Sequence, residues 1–408
     1  MRLMISFAAL LISVALLQLG SGGLAPLDAI SGVELGFAPT EVGLLGSAHF
    51  IGFFIGCWWA PRLMGDVGHA RAFAAFAAAG AIGVISHMLI IDAYAWMAMR
   101  VLSGLCIAGS YTVVESWLQA KVTNETRGRA MAIYRVVDIS GSLGAQLMIS
   151  VLTPAHYVSY NILTLICILA LVPLALTRAE QPTIPKAPRL RPIMAWKLSP
   201  LASAAVISAG LTTAAFRMVG PIYGIEVGLS IDDIALFLAA FVLGGALSQY
   251  PAGWAADRFD RRWVLIGLSV LAILSCVVIS SFSTSGTGAA FITSGIFGFA
   301  TFPIYSVAAA HAHDFAGQDD RVDLSAALMF YYATGAIASP WIVSVLIETY
   351  GPSAMFVFVS AAHGVLIAFS LLRLRSRKSE TRTRYIYAPR TSFVIGRLLG
   401  HTRERHED

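Results

Sequence analysis

Twelve long apolar runs separated by polar loops constrain this chain more than any other feature. They fall at roughly 4–31, 41–63, 71–91, 94–120, 127–152, 157–177, 199–225, 231–253, 263–283, 287–313, 321–348 and 352–373. A helix needs about 20 apolar residues to cross a bilayer, and lipid offers backbone amides no partner, so such runs fold as membrane-spanning helices. Soluble domains carry about 25% charged residues; this chain of 408 has 12%, against 57% hydrophobic. That balance excludes an ordinary soluble domain, a disordered chain, a collagen and a disulfide scaffold. The first run outlasts the apolar core of a signal peptide and eleven more follow, so it counts as a span. Cys57, Cys106, Cys167 and Cys276 each lie within an apolar run without CxxC spacing. They read as small core residues, not as ligands or bridges.

Positive charge sets the orientation, because Lys and Arg collect in cytoplasmic loops. With the first terminus inside, the cytoplasmic positions hold 25 of the 28 Lys and Arg, the spans hold three, and the outer loops hold none. A miscounted helix would spoil this segregation, so both termini are predicted to be cytoplasmic. The net charge of +5 is local in origin: from Arg373 to Asp408 there are ten basic and four acidic residues, leaving −1 for everything before. A nucleic-acid partner is therefore not indicated. The tail is either a membrane-surface segment drawn to anionic lipid or a solvated extension.

The chain reads as built twice. Arg178-Ala-Glu-Gln-Pro-Thr-Ile-Pro-Lys-Ala-Pro-Arg-Leu-Arg-Pro192 is too polar and proline-rich for a membrane helix. It divides the chain into a six-helix bundle at 1–177, a cytoplasmic linker at 178–198, a second bundle at 199–373 and a basic tail at 374–408. Basic loops after the second span of each half, Arg62 to Arg71 and Arg258 to Arg262, are offset by about 192 residues, and each half opens with a proline-bearing span, Pro26 and Pro221. Internal repeats of this kind mark secondary transporters, which rock their halves around a central solute site.

The loop Gly253-Trp-Ala-Ala-Asp257-Arg258-Phe-Asp-Arg261-Arg262 resembles the G-x-x-x-D-R-x-G-R-R signature of the major facilitator superfamily. Arg100-Val-Leu-Ser-Gly104, Val113-Val-Glu115-Ser116, Arg127-Gly-Arg129, Gln249-Tyr-Pro251 and Gly298-Phe-Ala-Thr-Phe-Pro303 carry a further likeness, to the YcaD-like branch of bacterial inner-membrane transporters. The resemblance covers about Leu3 to Leu374. It implies the twelve-helix fold of two pseudo-symmetric halves, with spans 1, 4, 7 and 10 lining a cavity and with Gly253, Asp257, Arg258, Arg261 and Arg262 acting as a conformational latch. The aspartate of that loop is expected to cap a neighbouring helix and the arginines to brace the cytoplasmic face. The corresponding first-half stretch, Pro61 to Arg71, keeps Gly68 but lacks the first glycine and the Asp-Arg pair. The glycine-proline signature of antiporters is not matched by Gly141 to Gln146.

An ionisable residue inside a span costs at least ~2.5–3.5 kcal/mol on insertion scales, so those present point to function. Six qualify: Asp28, Arg100, Glu115, Arg135, Asp138 and Arg217. Asp28, Arg100 and Arg217 lie at comparable outer levels and are candidates for substrate binding or gating, Arg217 being suited to a carboxylate or phosphate. Asp28 with Arg217 forms either an outer gate or a fixed salt bridge. Glu115 at ~9 Å and Arg135 at ~12 Å from the cytoplasmic ends of their helices are within reach of each other. Together with Asp138 they are the proton-coupling candidates. Asp138 is the first choice for a titrating carboxylate; the alternative is a static Arg135–Asp138 pair. Isolated histidines, His87 among them, carry little weight.

The chain has no nucleotide-binding loop, HExxH or G-x-S-x-G, so ATP-driven pumping and enzyme chemistry have no motif behind them. The sequence reading is a monomeric, proton-coupled secondary transporter of the bacterial inner membrane. It acts on a small solute, with membrane lipids as its surroundings and no cofactor. The rival is a receptor or assembly partner that kept the fold and lost transport.

Overall fold

The computed structural model describes residues 2–122, 127–176, 189–282, 287–317 and 320–374. The greater part of the expected linker and almost all of the tail lie outside those residues. The chain divides into two compact units, with the boundary between Ala187 and Pro188.

The first unit contains α1 (Arg2–Glu34), α2 (Pro39–Val67), α3 (His69–Ser86), α4 (Ala93–Lys121), α5 (Arg127–Met148), α6 (Tyr157–Leu169) and α7 (Leu171–Ala175). The second contains α8 (Pro192–Leu198), α9 (Pro200–Glu226), α10 (Ile231–Arg258), α11 (Arg261–Phe282), α12 (Thr287–Thr301), α13 (Pro303–His313), α14 (Arg321–Tyr350) and α15 (Ala354–Arg373). Among the described residues, eleven stretches are long and apolar enough to cross a membrane. The expected fifth span, α5, is a 22-residue helix outside that set. Its sequence carries Arg127, Arg129, Arg135 and Asp138 among small and polar residues, which makes it amphipathic rather than uniformly apolar.

Two expected spans are each two helices. Pro173 and Pro303 have no amide hydrogen to donate to the carbonyl four residues earlier. The sixth span accordingly breaks after Leu169 and the tenth after Thr301. The third run is shorter than its apolar stretch: α3 ends at Ser86, and residues 87–90 form a turn. Trp96 closes this turn by donating its indole N–H to the carbonyls of His87 (2.8 Å) and Ile90 (3.0 Å), while Asp92 caps α4 through the amide of Ala95.

Helices within each unit approach closely at glycine. A Cβ on Gly52 would lie 1.9 Å from the carbonyl oxygen of Val101, and one on Gly104 would lie 2.0 Å from that of His49. Gly244 against Gly295 and Gly298 against Phe241 repeat the arrangement in the second unit, at 1.9 and 2.0 Å. The α2–α4 and α10–α12 crossings are therefore backbone against backbone, the close contact that small residues permit in lipid. The first unit packs Phe73, Phe76, Trp117 and Tyr134 in its core. The second stacks Phe216 on Phe241 at 4.2 Å, with Phe237 and Phe297 beside them. All four cysteines are free and buried.

Candidate functional site

Pro26 gives α1 a local defect beside its acidic residue. A proline cannot donate to the carbonyl four residues earlier, here that of Gly22, and Gln146 on α5 supplies the missing donor at 3.3 Å. Two residues on, Asp28 is buried at 2% exposure. Tyr160 of α6 donates its hydroxyl to Asp28 Oδ1 at 3.0 Å. His87 Nε2 stands 3.4 Å and Arg100 Nη1 3.6 Å from Asp28 Oδ2. Arg100 is also 2% exposed and His87 fully buried. Charged and polar groups from α1, α4, α6 and the end of α3 thus converge inside the first unit, where a charge persists only with a partner. Sequence reasoning paired the level of Asp28 with Arg100 and Arg217. The structure brings Asp28 to Arg100 and adds His87 and Tyr160, which it had passed over. Arg217 lies half-buried on α9, in the second unit.

Elsewhere in the same unit, Arg135 Nη1 donates to Asp138 Oδ2 at 2.7 Å. Asp138 Oδ1 accepts from Tyr111 at 3.1 Å, and Tyr111 also hydrogen-bonds Gln18. Glu115 is fully buried and accepts from the hydroxyl of Tyr134 at 2.9 Å. Arg62 donates to the carbonyl of Trp58 and stacks its guanidinium on that indole.

The latch loop is the densest ionic site of the second unit. Arg261 donates through Nη1 to Asp314 at 2.7 Å and to the carbonyl of Ala310 at 2.8 Å, and through Nε to the carbonyl of Ala256. Both members of the Arg261–Asp314 pair are nearly inaccessible, at 1% and 3% side-chain exposure. Asp257 stands 3.7 Å from Arg261 Nη2. Asp260 caps α11, accepting the backbone amide of Arg262 at the start of that helix (3.0 Å). Arg262 grips the same carboxylate through Nε and Nη2 and extends Nη1 to the carbonyl of Leu374 at 3.0 Å, tying α11 to the end of α15. Burial alone would raise the Asp260 carboxyl. Hydrogen bonds from the side chain and backbone of Arg262, with its positive charge, hold it below the usual carboxylate range. Arg258 is exposed and lies over the Trp254 ring at 5.5 Å, and Gly253 is buried on α10. Asp314 was not anticipated, because it lies in a loop where an acidic residue carries no signal of its own.

Comparison with known proteins agrees with this architecture. The model of the Major Facilitator Superfamily matches residues 10–203 and again 201–401. An uncharacterized MFS-type transporter of Yersinia pestis is 27% identical over 341 residues, covering 82% of this chain and 86% of its own. The uncharacterized MFS-type transporter YcaD of Escherichia fergusonii is 26% identical over 340 residues, covering 83% and 87%. Among solved structures, the nucleoside transporter NupG aligns with TM-score 0.72 at 14% identity over 90% of this chain and 99% of its own. A bacterial homolog of the human lysosomal transporter Spinster, inward-facing and occupied, aligns with TM-score 0.68 at 14% identity over 97% and 94%. With both halves matched by the family model, this chain belongs to the Major Facilitator Superfamily and is a multi-pass membrane transporter.

Proposed function

We propose that the protein moves a small solute across the bacterial inner membrane by alternating access of two six-helix bundles, 1–177 and 199–373, with inward proton movement as the driving force. The loop arginines favour cytoplasmic termini, and the internal repeat favours the rocking mechanism. The observation that carries the proton assignment is the cluster of Asp28, Arg100, His87 and Tyr160, buried within one bundle. A carboxylate held by an arginine and a histidine at ion-pair rather than hydrogen-bond distance exchanges protons with less loss than one gripped bidentately. Asp138, held by Arg135 at 2.7 Å and by Tyr111, is the second carboxylate on this reading. Glu115 is its structural support on the neighbouring helix. Arg217, half-buried on α9, is the residue we assign to an anionic group of the solute, and the latch arginines hold one end of the second bundle closed.

The test is a thermal-shift screen of purified protein against metabolites and drugs, since a bound solute raises apparent stability. Proteoliposomes carrying a pH-sensitive dye are then exposed to each stabilising solute. Proton entry that depends on the solute supports the proposal. No proton movement with any stabilising solute, together with capture of a defined protein by the basic tail, would favour the non-transporting receptor instead.

A further inference from the structure

The imidazole of His87 has acceptors on both sides. Its Nδ1 faces the carbonyl oxygens of Gly83 at 2.8 Å and Val84 at 3.2 Å, and its Nε2 faces Asp28 Oδ2 at 3.4 Å. A neutral imidazole carries one N–H and one bare lone pair. With the hydrogen on Nδ1, the bare Nε2 opposes a carboxylate; with the hydrogen on Nε2, the bare Nδ1 opposes two carbonyls at shorter range. Each neutral tautomer leaves lone pair against lone pair in a site from which water is excluded, and such a mismatch is costly there. Only the doubly protonated ring combines an N–H for the carbonyls at Nδ1 with positive charge beside the carboxylate, which Nε2 meets at ion-pair distance and without a hydrogen bond.

The surroundings suit a cationic ring. Tyr160 stacks on the imidazole at 5.5 Å with an interplanar angle of 18°, and Trp96 meets it at 5.0 Å and 63°, so aromatic faces border the place where positive charge would lie. The titratable and charged groups facing His87 are Asp28 from α1, Arg100 from α4 through that shared carboxylate, and Tyr160 from α6. Tyr160 donates its hydroxyl to Asp28 Oδ1, and Arg100 adds positive charge beside Oδ2, so both favour Asp28 as the carboxylate and place the extra proton on the histidine. Arg100 also opposes that proton, since the loaded cluster carries one net positive charge and the unloaded cluster none.

We propose that His87 Nε2 is a proton-binding site, loaded when it faces Asp28 and unloaded when α1 and the end of α3 move apart. On unloading, the proton passes from Nε2 to water, Asp28 stays ionised against Arg100 and Tyr160, and His87 keeps its Nδ1 hydrogen on the Gly83 carbonyl. The inference rests on the proton-coupled reading above and adds the residue that holds the proton.

Nitrogen NMR of the full chain in lipid nanodiscs at pH 7, with ¹⁵N-labelled histidine, tests it. The His87 signal is assigned by its loss in His87→Gln. In the unaltered protein it is assigned by dipolar coupling to ¹³C-labelled aspartate carboxyl and tyrosine ring carbons together, a pairing of neighbours that the fold gives to His87. The expected result is a ring with both nitrogens protonated, converted to a neutral ring in Asp28→Asn and retained in Asp28→Glu. A neutral His87 with one bare nitrogen in the unaltered protein would overturn the proposal, whatever the variants do. The measurement needs neither solute nor gradient. A neutral His87 in a protein that still couples solute to proton entry removes the histidine alone. An imidazolium in a protein that moves no protons removes the coupling alone.

Discussion

The turn from α2 to α3 and the turn from α10 to α11 occupy the same place in the two units. His69 and Arg261, 192 residues apart, both open the helix that follows. The glycine crossings behind them match to within a tenth of an ångström, as Gly52 and Gly104 do Gly244 and Gly298. Their chemistry differs. Arg261 enters a buried ion pair with Asp314, whereas His69 makes a hydrogen bond to Ser116 at 3.1 Å and packs its ring on Trp117 at 5.9 Å. The interior charges diverge in the opposite sense: Gly220 stands 192 residues after Asp28, and at the offset of 194 that relates Gly104 to Gly298, Ser294, Ala309, Met329 and Tyr332 stand where the first unit has Arg100, Glu115, Arg135 and Asp138. Backbone packing has been kept in duplicate while the interior charges have not. Five of the six lie in the first unit and Arg217 alone in the second, whose ion pairs gather at its arginine-bearing end.

The comparison is easiest to break at the glycine crossings. Gly104→Leu and Gly298→Leu should each leave no folded protein in the membrane, and the alanine versions should lose similar stability, upward of about 3 kcal/mol, because a backbone carbonyl cannot yield as a side chain does. Gly267→Ala, with nothing within 4 Å of the new Cβ, should stay within about 0.5 kcal/mol. Denaturant unfolding in detergent measures all three, and tolerance at one crossing alone would show that the packing repeat is only apparent.

A smaller effect is expected at the turns. Arg261→Ala removes the buried ion pair with Asp314 and should cost about 3–5 kcal/mol, against about 1 kcal/mol for the hydrogen bond lost in His69→Ala; equal losses would dissolve the contrast. Asp260 should contribute least, about 1 kcal/mol. Its carboxyl titrates lower in the folded chain than the ordinary value of 3.8. The stabilisation is therefore complete above that value and disappears as pH falls through the lower folded one. The stability gap between wild type and Asp260→Asn should accordingly shrink only below pH 3.8, and a gap that closes near neutrality would contradict the assignment.

Most of the fold was legible because a bilayer enforces a period and a length that apolar runs display directly. The breaks near Pro173 and Pro303 were not, since Pro61, Pro221, Pro251 and Pro340 remove a donor in the same way and lie inside unbroken helices. What stayed hidden was pairing. His87 lies 59 residues after Asp28 and 13 before Arg100, at the end of an apolar run where a single histidine has no local pattern. Only the antiparallel return of α3 and α4 brings it to α1. Asp314 was masked in the same way, because loop acids are ordinary. Asp28 and Arg100 announced themselves because lipid penalises each of them separately, and α5 fell short of an apolar span because it carries Arg127, Arg129, Arg135 and Asp138 among small and polar residues.

The most direct measurement of the central claim is solute accumulation against its gradient in proteoliposomes under an imposed pH difference, set beside solute exchange at equilibrium pH, in wild type, Asp28→Asn and Asp138→Asn. The account predicts that Asp28→Asn abolishes uphill accumulation while exchange persists, and that Asp138→Asn does so less completely. Uphill accumulation that survives undiminished in Asp28→Asn would contradict it.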